Sequence, residues 1–311
     1  MRKFVMGAAA LAMTAFMGVA QAETTIAVSI PAADHGWTGG VVFHAERVAK
    51  ALMASHPGLN IIVKTSPDGA SQANAVEDLV TQGINALVIL PHNPDELTAS
   101  IKNVKSKGIF VTIVDRALQD TSFQDLYVGG NNPALGAQAG NYIKAHTPDA
   151  QVVVIRGLPI PIDQMRQDGF DQAIAGSNVK VLEKQFGNWS RDDAFKVMQD
   201  FLTKYPKIDV AWVQDDDMAV GALEAIKQAN RTDIQYVIGG AGMKEMVKKV
   251  MDGDKMIPVN VLYPPAMVGT ALELTVAGLV DQVPVRGSYI LDATLITKEN
   301  AAEFYFPDSP F

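Results

Sequence analysis

No cysteine occurs among the 311 residues, which removes disulfides, thiol nucleophiles and cysteine-held metals together. Concentrated positive charge is missing as well: 26 Lys and Arg stand against 34 Asp and Glu, a formal net charge of −8, with no basic run. Wrapping nucleic acid or adhering to an anionic membrane needs clustered cations, so neither is an expected partner. Beyond Ala22 no apolar run approaches the roughly 20 residues of a membrane span, and that part of the chain is expected to be soluble. His35, His44, His56, His92 and His146 show no ligand spacing, so no metal is expected. "DDD" (Asp215 to Asp217) looks like the start of a calcium loop, but the apolar helical pattern "MAVGALEAI" follows at once and leaves no room for one. The glycine clusters "GWTGG" and "GGAGMKE" carry neither a Walker lysine nor a spaced triple glycine, and no G-x-S-x-G elbow exists. No cofactor is expected.

What is present points to a globular protein with a large core, since 48% of residues are hydrophobic and 19% are charged with both signs mixed. The length suggests two domains. The opening "MRKFVMGAAALAMTAFMGVAQA" has Arg2 and Lys3, a short apolar stretch and a small-x-small ending at Ala20-Gln21-Ala22. It reads as a secretory signal peptide over 1–22, cleaved to leave Glu23 first, with the bacterial periplasm as destination.

Short apolar runs then alternate with helical patterns. "TTIAVSI" precedes "GGVVFHAERVAKALMASH"; "NIIVKTS", "ALVILP" and "IFVTIVD" are each separated by a helix-length segment of period 3.6. After "YVGGNN" (Tyr127 to Asn132), the expected first crossing between units, the rhythm restarts with "QVVVIRG", "VKVLEKQFG", "VAWVQDDD" and "IQYVIGGAG". Runs such as "VVVIR" are continuously apolar, as strands are when helices cover both faces of a parallel sheet. Two α/β units therefore lie in series. The remaining "IPVNVLYPP", "AMVGTALELTVAGLV" and "GSYILDATLIT" would serve as a tail that returns to the first unit and then to the second.

Ligands of open α/β sheets sit beyond the carboxyl ends of the strands, and the informative residues fall there. Asp34, His35 and Trp37 follow the first strand, Asp115-Arg116 the fourth; Arg166, Trp189 and Asp215 follow strands of the second unit. Carboxylates and guanidinium forks match hydroxyls that both donate and accept, while indole rings match C–H faces, a combination that suits a sugar. Plainer readings stand beside this one. Each tryptophan could be core. Asp34, Asp216 and Asp217 could be helix caps, and for Asp216 the cap is the preferred reading. Asp34, Asp115 and Asp215 could also supply a hydrolase's carboxylate pair, but Arg116 beside Asp115 disfavours a general acid there.

In order and content, "SQANAVEDLVTQGINALVILP", "IFVTIVDRAL", "RQDGFDQAI", "VMQDFLTKYPKIDVAWVQDDDMAVGALEAIKQA" and "YILDATLIT" resemble the periplasmic sugar-binding proteins of ABC importers, the ribose-binding type I family in particular. The resemblance covers essentially the whole chain after Ala22. It implies an α/β fold of two doubly wound parallel-sheet lobes joined by a three-segment hinge, with residues 23–129 plus 260–290 in one lobe and 130–259 plus 291–311 in the other. It also implies a non-catalytic monomer that closes on a small sugar or polyol and docks on an inner-membrane permease driven by a cytoplasmic ATPase.

Carried over by position, the family's aromatic platform falls on Trp37, and His35 takes the place of a hydroxyl-binding side chain. The sugar-gripping pair falls on Asp115 and Arg116, the second-lobe arginine on Arg166 and the second aromatic on Trp189. Asp215 stands where relatives usually have Asn, Ala241 stands where they commonly have Asp, and Asn260 is the nearest polar candidate for their hinge-strand Gln or Asn. A carboxylate would thus have moved from 241 to 215, and the hydroxyl pattern recognised is not expected to be that of ribose. Three other readings share parts of this pattern. A LacI-type regulator would need a helix-turn-helix where the signal peptide stands. A sensory binding protein serving a chemoreceptor or kinase, including one for a furanose-like signal molecule, would use the same residues. An exported glycosidase would need an activated carboxylate pair.

Overall fold

The computed structural model describes residues 24–33 and 36–311. The segment read as a signal peptide, and Asp34 and His35, lie outside the described residues.

Six strands form the first sheet: β1 (Thr24–Pro31), β2 (Leu59–Ser66), β3 (Ala86–Ile89), β4 (Phe110–Val114), β5 (Leu126–Gly130) and, from the far end of the chain, β11 (Gly287–Leu291). Their order is β11-β5-β4-β3-β1-β2, and every pairing is parallel. Within β1, Ile26, Val28 and Ile30 join the core on one face while Ala27 joins that on the other. That two-residue alternation, apolar on both sides, is why the strand reads as one unbroken hydrophobic run. Helices α1 (Gly36–Ser55) and α9 (Met267–Leu279) pack together, as do α2 (Gly69–Thr81) and α3 (Pro94–Ser106). Asp68 caps α2 by accepting from Ser71 N at 2.7 Å, and Asn93 caps α3 ahead of Pro94, the residue type suited to a first helical turn.

The second sheet holds β6 (Gln151–Arg156), β7 (Lys180–Phe186), β8 (Val210–Val213) and β9 (Tyr236–Ile238) in the parallel order β7-β6-β8-β9. Around it run α4 (Asn132–His146), α5 (Pro161–Ile174), α6 (Arg191–Lys204), α7 (Asp216–Gln228) and α8 (Lys244–Asp252), with α4 packed on α5 and α6 on α7. The third tryptophan, Trp212 on β8, is fully buried and stacks on Phe170 at 4.2 Å between centroids. It is core, as a tryptophan in a strand usually is.

Three passages connect the lobes. The first follows β5, where Asn131 caps α4 by accepting from Ala134 N. "IPVNVLYPP" forms only a two-residue strand, β10 (Asn260–Val261), which pairs antiparallel with β12 (Leu295–Ile296) and lies beside the Ala241–Leu262 bridge. Pro264 and Pro265 cannot continue a ladder, and the second passage, Leu262 to Ala266, leads into α9 on the first sheet. Asn260 and Val261 thus pair with β12 and not with the first sheet, so the return to the first lobe begins after Val261. The third passage runs from β11 to β12.

Candidate functional site

The carboxyl ends of both sheets face one another across a cavity whose empty space, open solvent included, is about 360 Å³. From the first lobe it is lined by Trp37, Asp115 and Arg116, from the second by Ile162, Arg166, Trp189, Asp215 and Ala241, and from the second passage by Tyr263. Six side chains singled out in the sequence therefore meet in one place.

Asp115 leaves β4 with φ +61°, a left-handed conformation uncommon outside glycine and one that accumulates at functional sites. The turn is held by Asp115 N donating to Val128 O at 2.9 Å and by the Tyr127 hydroxyl donating to Asp115 O at 2.7 Å. Its buried carboxylate accepts from the Tyr263 hydroxyl and lies 3.8 Å from Arg116 Nε. Arg116 Nη1 donates to the Pro91 and His92 carbonyls, yet its buried Nε has no hydrogen-bond partner among the described residues. The charged pair that ends this apolar strand therefore stands at the lip of the cavity.

Across the cavity, Arg166 projects from α5. Nε donates to Asn132 Oδ1 at 2.8 Å and Nη1 to Gln214 O at 2.9 Å, while the guanidinium lies 5.2 Å from the Trp189 ring and 4.4 Å from the Tyr263 ring. Such stacking suits arginine, whose planar cation is weakly hydrated. Trp189 reaches its seat through two consecutive left-handed residues, Asn188 at φ +57° and Trp189 at φ +58°. Its ring fills the space where a side chain at Gly157 would stand, with Cζ2 only 1.9 Å from an ideal Cβ there. Asp163 accepts from Gly157 N at 2.8 Å and fixes that loop.

Three consecutive aspartates take three different tasks. Asp215, not Asp216, caps α7, its Oδ1 accepting from Asp217 N at 2.9 Å and Met218 N at 3.3 Å. Burial first, then the nearby Asp217 carboxylate, pushes Asp215 up to about 7. Asp216 turns away from the cavity and accepts from Gly242 N, Met243 N and Asn260 Nδ2; burial pushes it well upward too. Asp217 reaches the other lobe, accepting from Gly36 N in the first turn of α1 at 2.7 Å and from Arg191 at 2.7 Å. It caps a helix, though not its own.

Asn260 is fully buried but does not line the cavity. Its Nδ2 is 2.6 Å from Asp216 Oδ1, and its Oδ1 accepts from Gly242 N at 3.1 Å. The polar group expected from the hinge strand is instead Tyr263, which the sequence reading passed over. Its hydroxyl donates to Asp115 Oδ1 and accepts from Asn132 Nδ2 at 3.1 Å, and its carbonyl accepts from Trp37 Nε1 at 3.0 Å. Burial first, and then the Asp115 carboxylate, holds this phenol well above its usual range, so it keeps its proton. The available signal was an aromatic with a polar tip directly before Pro264-Pro265, where a strand must stop.

A family model described as a periplasmic binding protein domain matches residues 26–280. The D-apiose import binding protein of Paraburkholderia graminis is 29% identical over 97% of this chain and 96% of its own length, and the ribose import binding protein of Escherichia coli is 28% identical over 96% and 99%. A solved solute-binding protein of an ABC transporter from Mycobacterium smegmatis, with bound glycerol, superposes with a TM-score of 0.80 at 28% identity, covering 92% of this chain and 98% of that one. Two lobes built on parallel sheets, a cavity between their strand ends and a matching sequence profile agree: the chain belongs to the periplasmic binding protein domain family.

Proposed function

We propose that this protein is the periplasmic solute-binding component of an ABC importer, which takes up a small sugar or sugar alcohol in the interlobe cavity and delivers it to an inner-membrane permease with a cytoplasmic ATPase. The observation that carries the reading is the meeting of Trp37, Trp189 and Tyr263 with Asp115, Arg116, Arg166 and Asp215 around one void. Aromatic faces accept C–H surfaces while the charged groups saturate hydroxyls. The import binding proteins for D-apiose and ribose among its relatives support the ligand class. Export through the segment 1–22, loss of that segment and a monomeric working state belong to the same proposal.

Binding proceeds without turnover. A ligand that touches both lobes stabilises the closed arrangement over the open one and shifts the population by its differential affinity. A thermal-shift screen of the chain from Glu23 onward against pentoses, hexoses and alditols tests this, since a ligand that binds only the folded state raises the melting temperature. At least one compound is expected to do so without being consumed. Hydrolysis of an aryl glycoside, or no shift with any member of the panel, would overturn the proposal.

A further inference from the structure

β12 and the 3₁₀ turn that follows it, Ala301–Phe304, belong to the second lobe: β12 pairs with β10, and the turn packs against α8. Beyond Phe304 the chain is held to that lobe by Lys244, the first residue of α8. Its Nζ donates to the Pro307 carbonyl at 3.1 Å and to the Ser309 carbonyl at 2.5 Å. Ser309 N donates to Phe306 O at 3.1 Å and Phe311 N to Ser309 Oγ at 3.2 Å. Pro307 and Pro310 fix their own φ angles, so residues 306–311 follow a turned and stiffened path.

Both flanks of this segment rest on the first lobe. A Cβ built at Gly36 would come within 2.9 Å of Phe311 Cδ2, and one at Gly40 within 3.1 Å of Phe311 Cβ, so these glycines of α1 leave the notch that Phe311 fills. At the other flank the Phe306 ring meets the His44 ring edge-on, with 6.5 Å between centroids. Positions 36, 40 and 44 are four residues apart and share one face of α1. Phe311 is only 4% exposed there, whereas Phe306 is 56% exposed. Terminal segments stay ordered only where something ties them down, and this one is tied on both sides: to the second lobe through its carbonyls, to the first through its rings.

We propose that residues 306–311 are a clasp between the lobes: carried by the second, they seat on the Gly36, Gly40 and His44 face of α1 in the first, and the segment must lift off that face before the cavity opens. The clasp is separate from the three covalent passages, and neither Phe306 nor Phe311 lines the cavity. It nonetheless bears on the site, because the notch begins one residue before Trp37, on the turn of α1 that brings an indole to the cavity. Asp217 reaches the same Gly36 from the second lobe, so a polar and an apolar contact between the lobes converge on one helix start.

X-ray scattering on the ligand-free chain from Glu23 onward tests the clasp in wild type, Phe311→Ala and Lys244→Ala. Burying a phenylalanine ring favours the docked arrangement by roughly tenfold or more. Phe311→Ala should therefore move the ratio of closed to open molecules toward open by about that factor and increase the radius of gyration. Lys244→Ala leaves ring and notch intact but frees the segment from its second-lobe anchor, and should act in the same direction by less. A merely structural role for Phe311 would lower the melting temperature and leave the radius of gyration at the wild-type value, and that result in folded Phe311→Ala overturns the inference. Should that variant fold poorly, Lys244→Ala, whose side chain lies near the surface, decides the matter by the same criterion. No ligand enters the measurement, so failure of the clasp leaves the sugar or polyol reading standing, and failure of every sugar to bind leaves the clasp standing.

Discussion

The two walls of the cavity use the same residue types and arrive at different electrostatics. On the first-lobe wall, Asp115 has Arg116 beside it and the Tyr263 hydroxyl bonded to it. On the second-lobe wall, Asp215 is followed by two more aspartates and, among the described residues, is bonded only by the amides that open α7. Arg166 favours its ionised form, but that guanidinium is stacked between rings and already bonded to Asn132 and the Gln214 carbonyl. Burial therefore prevails, and Asp215 titrates near neutrality. One wall is compensated in advance; the other waits for a partner or a proton.

The largest test of that contrast is to remove a compensating group. Arg116→Ala or Asp115→Ala leaves a buried charge alone, which costs roughly 2–5 kcal/mol, so calorimetry should record affinity weakened on the order of a hundredfold or more. Unchanged affinity would show that the first wall does not grip the ligand.

Next in size is Asp215→Asn, which keeps a capping side chain and removes the charge. The folded state holds the Asp215 proton up to about pH 7, whereas the unfolded chain releases it near the ordinary carboxylate value. Native Asp215 thus binds a proton more tightly than unfolded Asp215, and its contribution is intact at low pH and lost as pH rises through the window to about 7. The variant should melt with wild type at low pH and be more stable by roughly 2–4 kcal/mol at pH 8. Parallel melting curves at both pH values would show that Asp215 is not strained.

Gly157→Ala attacks the second wall by shape, since the added methyl meets the Trp189 ring. Overpacking of this kind costs about 1–3 kcal/mol, and the displaced indole should weaken ligand binding about tenfold. The smallest effect belongs to Asp217→Ala, which removes a direct contact between the lobes at Gly36. Loss of about 1 kcal/mol from the closed form should weaken affinity several-fold and increase the radius of gyration of the ligand-free protein in X-ray scattering. Identical scattering would show that the contact does not bias closure.

The alternation of strands and helices was legible because both faces of each sheet are covered, which turns strands into continuous apolar runs. Asp115 and Arg116 were legible for the converse reason: charge at the end of such a run needs an explanation. Adjacent aspartates were not separable in this way, because the choice of Asp215 over Asp216 as cap depends on backbone angles that three identical side chains do not encode. Trp37 and Trp189 were set apart by their places after strands, whereas Trp212 lies within one and stacks on Phe170; the left-handed turn at Asn188-Trp189 that seats the second indole left no mark in the sequence. Tyr263 was hidden furthest. Its hydroxyl joins Asp115 and Asn132, which lie 148 and 131 residues away in the chain, and no local pattern records such a meeting.

The three passages between the lobes carry a mechanical consequence. A single strap would let one half swivel about its own axis; three side by side restrict motion to bending about the line that joins them, as pins do for a door. Cutting one strap with a protease should leave the halves tethered and able to shut, so a nicked chain would run as two fragments under denaturing conditions while still retaining its guest in native buffer.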